Sequence, residues 1–184
     1  MDVEYPSASV SKAMLAVALM RSARERELTA GELALLRPML TQSDNDAADA
    51  VWGTVGDAGL VSVARAARMR GFAPAGYWAE AGITAGDQAR FFSRLDRLTP
   101  RRHWRTLRRL MRSVVPWQRW GVPRAARART HVYFKGGWRE DLAHQVARIE
   151  RRGQRLALAV LTDGNPPWPY GPETIEGIAR RVLR

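Results

Sequence analysis

The chain has 184 residues, 46% of them hydrophobic, and a formal net charge of +12. It has no cysteine, which excludes disulfides, thiolate–zinc sites and cysteine nucleophiles; His103, His131 and His144 lack metal-ligand spacing, so no metal or other cofactor is expected. The length suits one domain, and no run approaches the roughly 18 apolar residues of a membrane span.

The basic residues comprise 28 arginines and only two lysines, Lys12 and Lys135. This bias, together with abundant alanine, points to GC-rich codons rather than phosphate contacts, so no nucleic-acid partner is expected. An arginine-rich nucleic-acid or anionic-surface binder is the alternative from a different functional class. Arginine cannot give up its proton in a protein, so the two surviving lysines mark positions where chemistry forbids the exchange.

In chain order, Pro6 and Ser7 read as a helix start, with the Ser7 side chain accepting a hydrogen bond from a first-turn N–H. The first helix is predicted from about Ser9 to Arg24. Ser9 and Lys12, three residues apart, share one face of it. They are either a nucleophile and its base or a helix start with a solvated lysine. Thr29 and Glu32 form a capping box for a second helix running through Leu40, which Pro38 should kink or divide. Ser43–Asp46 breaks that pattern, and a third helix runs from there to near Gly56. A fourth covers Gly59–Arg70 and closes at Gly71. After a glycine- and aromatic-rich loop to Ile83, Thr84 with Asp87 restarts a helix through Phe91, Phe92 and Leu95. Thr99-Pro100 caps another, to about Ser113. On that helix Trp104, Leu107, Met111 and Val114 take one side, and Arg101, Arg105, Arg108, Arg109 and Arg112 much of the rest. The arginines read as the solvated face of an amphipathic helix, against a competing reading as an anion-binding face.

Beyond an irregular linker, Pro116–Arg129, the character changes. Thr130–Phe134 and Leu142–Ile149 read as strands joined by a turn at Gly136-Gly137, with a third strand at Arg155–Thr162. A proline-rich loop, Asp163–Tyr170, precedes a closing helix at Gly171–Arg184. The fold class is α+β: a helical block of about residues 9–115 packed on a small antiparallel sheet with a C-terminal helix, about residues 130–184.

Three short motifs fall in a telling order: Ser9-x-x-Lys12, Ser43-Asp44-Asn45 and Lys135-Gly136-Gly137. The combination resembles the penicillin-recognising serine hydrolases, the class A β-lactamases and penicillin-binding transpeptidases, which carry S-x-x-K, S-D-N and K-T-G in that order. It looks closest to the compact β-lactamase-like serine hydrolases of actinobacteria, and the resemblance covers nearly the whole chain. It implies that Ser9 is the nucleophile that forms an acyl-enzyme and Lys12 its base. Ser43 would relay the proton to the leaving nitrogen, Asn45 would bind the substrate's side-chain amide, and Lys135 would keep the field positive. The oxyanion hole would be the backbone N–H groups of Ser9 and Trp138, with Gly137 allowing close approach. The substrate class implied is a small molecule, a β-lactam or D-alanyl peptide, handled by a monomer outside the cytoplasm.

Three departures qualify the resemblance. Gly136 lacks the hydroxyl of K-T-G. The span Trp52–Thr84 offers only Asp57 and Glu80 as acids and does not match the E-x-x-L-N loop that supplies a deacylating glutamate, so an acyl-enzyme should persist and turnover should be slow. Only eight residues precede Ser9, where the family places a helix and two strands. The expectation is therefore a truncated family fold, with Arg155–Thr162 as an exposed apolar edge. A catalytically weak relative that keeps the scaffold is the alternative within this class.

Overall fold

Ala13–Met20 is apolar at every position, which suits a helix enclosed on all sides rather than one with a single buried stripe. In a computed structural model, which describes residues 3–184, this run forms α1 (Lys12–Ser22), with every residue from Lys12 to Met20 buried. Each fully enclosed valine, leucine or methionine there contributes roughly 1.5–3 kcal/mol. The helix begins later than its pattern suggests, because Ala8–Ser11 is a 3-10 turn. Around it lie α2 (Ala30–Thr41) and α3 (Asn45–Ala67). The capping box of α2 is fully formed: the Glu32 amide donates to Thr29 Oγ1 at 3.1 Å and the Thr29 amide donates to Glu32 Oε2 at 2.8 Å. Pro38 lies within α2 without dividing it. The third and fourth predicted helices meet in α3 at Gly56, whose φ of 60° breaks the helical path, and α3 closes at left-handed Arg68 rather than at Gly71.

Two three-residue strands have no sequence signature. β1 (Glu4–Pro6) pairs antiparallel with β2 (Gly82–Thr84), joining the N-terminal stretch to the loop after α3. Thr84 then caps α4 (Ala85–Ser93), its Oγ1 accepting from the Asp87 amide at 3.2 Å. α5 (Leu95–Leu98) and α6 (Arg101–Arg112) follow. Thr99 does not cap α6, since its buried Oγ1 has no partner and Pro100 holds the cap position. The linker contains a 3-10 turn at Pro116–Gln118 and a short helix α7 (Val122–Ala125).

The sheet runs in the order β3 (His131–Trp138), β4 (Ala143–Arg151), β5 (Gln154–Thr162), all antiparallel, and α8 (Tyr170–Val182) closes the chain. Gly136 and Gly137 are not a turn. β3 continues through both, paired with Gln145 and His144, and the chain reverses between Trp138 and Ala143. Alternation along the strands gives the sheet two covered faces. Tyr133 and Val146 join the helical core, while Phe134, Ala147 and Ile149 pack with Val122, Ile175 and Ala179 on the other side. β5 is the outer strand, with its first three residues exposed and Leu156 at its rim. No helix is long and apolar enough to cross a membrane among the described residues.

Candidate active site

Ser7 has helical dihedrals and makes no side-chain cap; its buried hydroxyl instead donates to the Trp78 carbonyl at 2.8 Å. Its amide donates to the Ala81 carbonyl and the Ala8 amide to the Ala79 carbonyl, both at 2.9 Å. The loop before β2 therefore holds the start of the Ser9 turn, where the sequence suggests a Ser7 side-chain cap. So clamped, Ala8 adopts a φ of 43°, a left-handed conformation that costs a β-carbon-bearing residue roughly 1–3 kcal/mol. That strain sits one residue before Ser9, which is partly exposed between buried Ala8 and Val10.

Lys12 opens α1 with its side chain fully buried. Its Nζ donates to the Ser43 carbonyl at 2.5 Å and to Asn45 Oδ1 at 2.6 Å, and lies 3.4 Å from Ser43 Oγ. Ser9 Oγ is not among its hydrogen-bond partners. Lys135, on β3, reaches the same hydroxyl from the other side, with Nζ donating to Ser43 Oγ at 2.9 Å and to the Gly136 carbonyl at 2.8 Å. Ser43, at φ 61°, is a second left-handed residue, held where the α2–α3 connection turns; Asp44 then caps α3 by accepting from the Ala47 amide at 2.8 Å. The structure thus brings Lys12, Ser43, Asn45 and Lys135 into one hydrogen-bonded cluster.

No carboxylate contacts either ammonium among the described residues. Burial is the main cause that lowers the Lys12 pKa to about 8, partly offset by the charges of Asp44 and Asp49. Lys135 is held well below the usual lysine range by burial first and by the charge of Lys12 second. Two buried amines sharing one hydroxyl favour a state in which at least one is neutral, which is what a proton acceptor at neutral pH requires.

Gly137 brings β3 against the turn that carries Ser9. A β-carbon at this position would lie 2.9 Å from the Ser9 nitrogen and 3.1 Å from the Val10 nitrogen. At Gly136 a β-carbon would meet Cζ2 of Trp120 at 3.0 Å. Gln145 pins that indole's segment, donating from Nε2 to the Trp120 carbonyl at 2.9 Å and accepting the Val122 amide at 2.7 Å. Trp138, at the end of β3, stands edge-on to Trp120 and is 38% exposed.

Sequence reasoning missed Trp78. Its buried ring lies 4.6 Å from Lys12 Nζ, and its indole N–H donates to Asp49 Oδ1 at 2.6 Å. Asp49 follows Asn45 by one helical turn, a spacing that would have placed it on the same side of α3. Glu80, one of the two acids named above, is engaged with Arg139, while Asp57 accepts from the Trp52 indole and the Gly76 amide.

The β-lactamase enzyme family model matches residues 32–184, a span that contains Ser43, Asn45 and Lys135 and begins after Ser9 and Lys12. The chain belongs to this family. Comparison with curated proteins found no match. Among solved structures, a β-lactamase from Sphaerobacter thermophilus is similar at a TM-score of 0.84 and 20% identity, over 99% of this chain and 83% of that one. A class A β-lactamase from Mycobacterium abscessus is similar at 0.82 and 18%, over 100% and 85% of the two chains. A PBP-A mutant in an acyl-enzyme complex with penicillin G is similar at 0.83 and 17%, over 99% and 81%. These likenesses show the β-lactamase and transpeptidase fold.

Proposed function

We infer that the chain is a serine acyl-enzyme hydrolase or acyltransferase acting on β-lactams or D-alanyl-peptide-like amides. The observation that carries this reading is the meeting of Lys12, Ser43 and Lys135 on one hydroxyl, beside the strand edge where Gly137 touches the Ser9 backbone. Ser9 Oγ forms a bond to the substrate carbonyl carbon as its proton passes to neutral Lys12. The oxyanion accepts hydrogen bonds from the Ser9 and Trp138 amides. As the C–N bond breaks, Ser43 hands a proton to the leaving nitrogen and is resupplied through the lysines. Asn45 holds the substrate's side-chain amide.

Release of the acyl group needs a base beside the ester. The two acids of the span before β2 are engaged elsewhere, Glu80 with Arg139 and Asp57 with the Trp52 indole and the Gly76 amide, so acylation outruns deacylation and the acyl-enzyme accumulates. This is the profile of a penicillin-binding transpeptidase or carboxypeptidase more than of a fast β-lactamase. Steady-state assays with benzylpenicillin and with a D-alanyl-D-alanine peptide test it. The reading expects a burst of about one equivalent followed by slow turnover. Rapid multiple turnover of penicillin would show that deacylation has its own base.

A further inference from the structure

Helix α6 carries six arginines in twelve residues. With 3.6 residues per turn, Arg101, Arg105, Arg108, Arg109 and Arg112 fall within about 100° of arc and are spread over about 16 Å of axis. The opposite side of the helix holds buried His103, Leu107, Leu110 and Met111. With Trp104 and Ser113, these five arginines line a groove of about 670 Å³ in which no acidic residue takes part among the described residues. Codon bias raises arginine everywhere, but it does not collect it on one arc or keep acids out.

The local energetics run against this arrangement. Arg101 and Arg105, Arg105 and Arg109, and Arg108 and Arg112 are like charges at i, i+4, and Arg101 with Arg102 places positive charge at the helix N-terminus, where the backbone dipole disfavours it. Carboxylates relieve little of the strain: Arg102 lies 3.8 Å from Glu27 and Arg108 3.6 Å from Glu150. Arg101, Arg105, Arg109 and Arg112 form no ion pair among the described residues. Departures from local consistency of this kind collect at functional surfaces.

We propose that the α6 groove binds a phosphodiester polymer through its phosphates, without reading bases. Charge complementarity selects the phosphates, since guanidinium forks match their oxygens and successive arginines repeat at about one helical turn. The aromatic ring in the groove is already engaged by cations: the Arg108 guanidinium lies 5.6 Å and that of Arg148 5.3 Å from the Trp104 ring centre, where a stacking base would have to compete with them. The occupant is a base-free polyol-phosphate chain, which presents the phosphates with no bases to place; oligothymidylate carries the same phosphates and serves as the reporter. This inference is independent of the acyl-transfer reading.

The test is fluorescence anisotropy and competition across a salt series, with fluorescein-labelled oligothymidylate and unlabelled poly(glycerol phosphate) as probes. Wild type should bind the first and release it to the second at comparable phosphate concentrations. The triple variant Arg105→Gln, Arg109→Gln, Arg112→Gln should bind at least tenfold more weakly, with the log-affinity against log-salt slope reduced by about 2. A control triple, Arg180→Gln, Arg181→Gln, Arg184→Gln, carries the same charge change on α8 and its end and should keep most of the affinity. Circular dichroism of both variants verifies folding. Equal losses in the two triples would mean net charge alone and would overturn the site. Binding of oligothymidylate that poly(glycerol phosphate) does not displace would overturn the base-blind reading, and absence of binding by folded wild type would overturn both.

Discussion

Gly137 and Ser9 touch through their backbones: a β-carbon on the first would stand 2.9 Å from the amide nitrogen of the second. The nearest atoms on that side are two main-chain nitrogens and the Ala8 β-carbon, none of which can rotate away. Gly137→Ala should therefore move the Ser9 turn, lower stability by about 1–3 kcal/mol and slow the proposed acylation by about 10²-fold or more. Urea unfolding together with a penicillin-labelling time course measures both. Normal labelling in this variant would mean that the contact does not position Ser9.

Trp120 fills the space that a side chain at Gly136 would need. Supplying the hydroxyl with Gly136→Thr places a β-carbon 3.0 Å from a ring whose backbone carbonyl Gln145 holds and which is flanked by Trp138 and Trp168. The variant should lose about 1–3 kcal/mol and gain no acylation rate. Combining it with Trp120→Phe should recover part of the loss, read as coupling in a double-mutant cycle.

Lys12 predicts the pH dependence of both activity and stability. As the proposed base it works when neutral, so the acylation rate should rise with pH and level off above an apparent pKa near 8, a value belonging to the coupled pair with Lys135. A folded-state pKa below the unfolded one means that the unfolded chain binds more protons between pH 8 and about 10.5. Stability should therefore rise with pH across that window, by up to about 3 kcal/mol from Lys12, with Lys135 acting in the same direction. The raised Tyr77 pKa opposes this above pH 10. Urea midpoints at pH 7.5 and 9.5 should differ in wild type and differ less in Lys12→Met. A midpoint that falls over this interval would show that the lysine is charged and satisfied.

His144 should set the acid limit. It is fully buried, its Nδ1 accepts the Thr162 amide at 3.2 Å, and Nε2 therefore carries the proton that faces the Pro6 carbonyl, also at 3.2 Å. Burial lowers its pKa to about 4. The stability this contributes is present above the unfolded value near 6.5 and is lost as pH falls towards 4, by up to about 3 kcal/mol. Thermal melts at pH 4.5 and 7 check it: His144→Gln should show a smaller difference between the two than wild type.

Much of the helical architecture was legible because its signals are local. Thr29 with Glu32 and Thr84 with Asp87 mark helix starts by spacing alone, and Gly56 shows where α3 breaks. The cluster was legible because Ser43, Asn45 and Lys135 stand in short motifs whose residue types admit few substitutes. What stayed hidden depends on contacts distant in sequence. β1 and β2 are three residues each, too short for a period, and lie 78 positions apart along the chain. Two adjacent glycines read as a turn because their reason for being glycine is tertiary: Trp120 on one side and the Ser9 turn on the other. Ser7 read as a cap because nothing local shows that its hydroxyl reaches Trp78. Trp78 itself stands in an aperiodic loop, although it covers the proposed base.

The central claim is that Ser9 becomes acylated with Lys12 as its base. Intact-mass spectrometry after incubation with benzylpenicillin tests it most directly. The account predicts one adduct of the whole penicillin mass, since opening the ring expels no fragment, persisting over hours. It should be absent in Ser9→Ala and slowed about 10²–10⁴-fold in Lys12→Arg. A folded wild-type protein that gains no mass, or an adduct undiminished in Ser9→Ala, would contradict it.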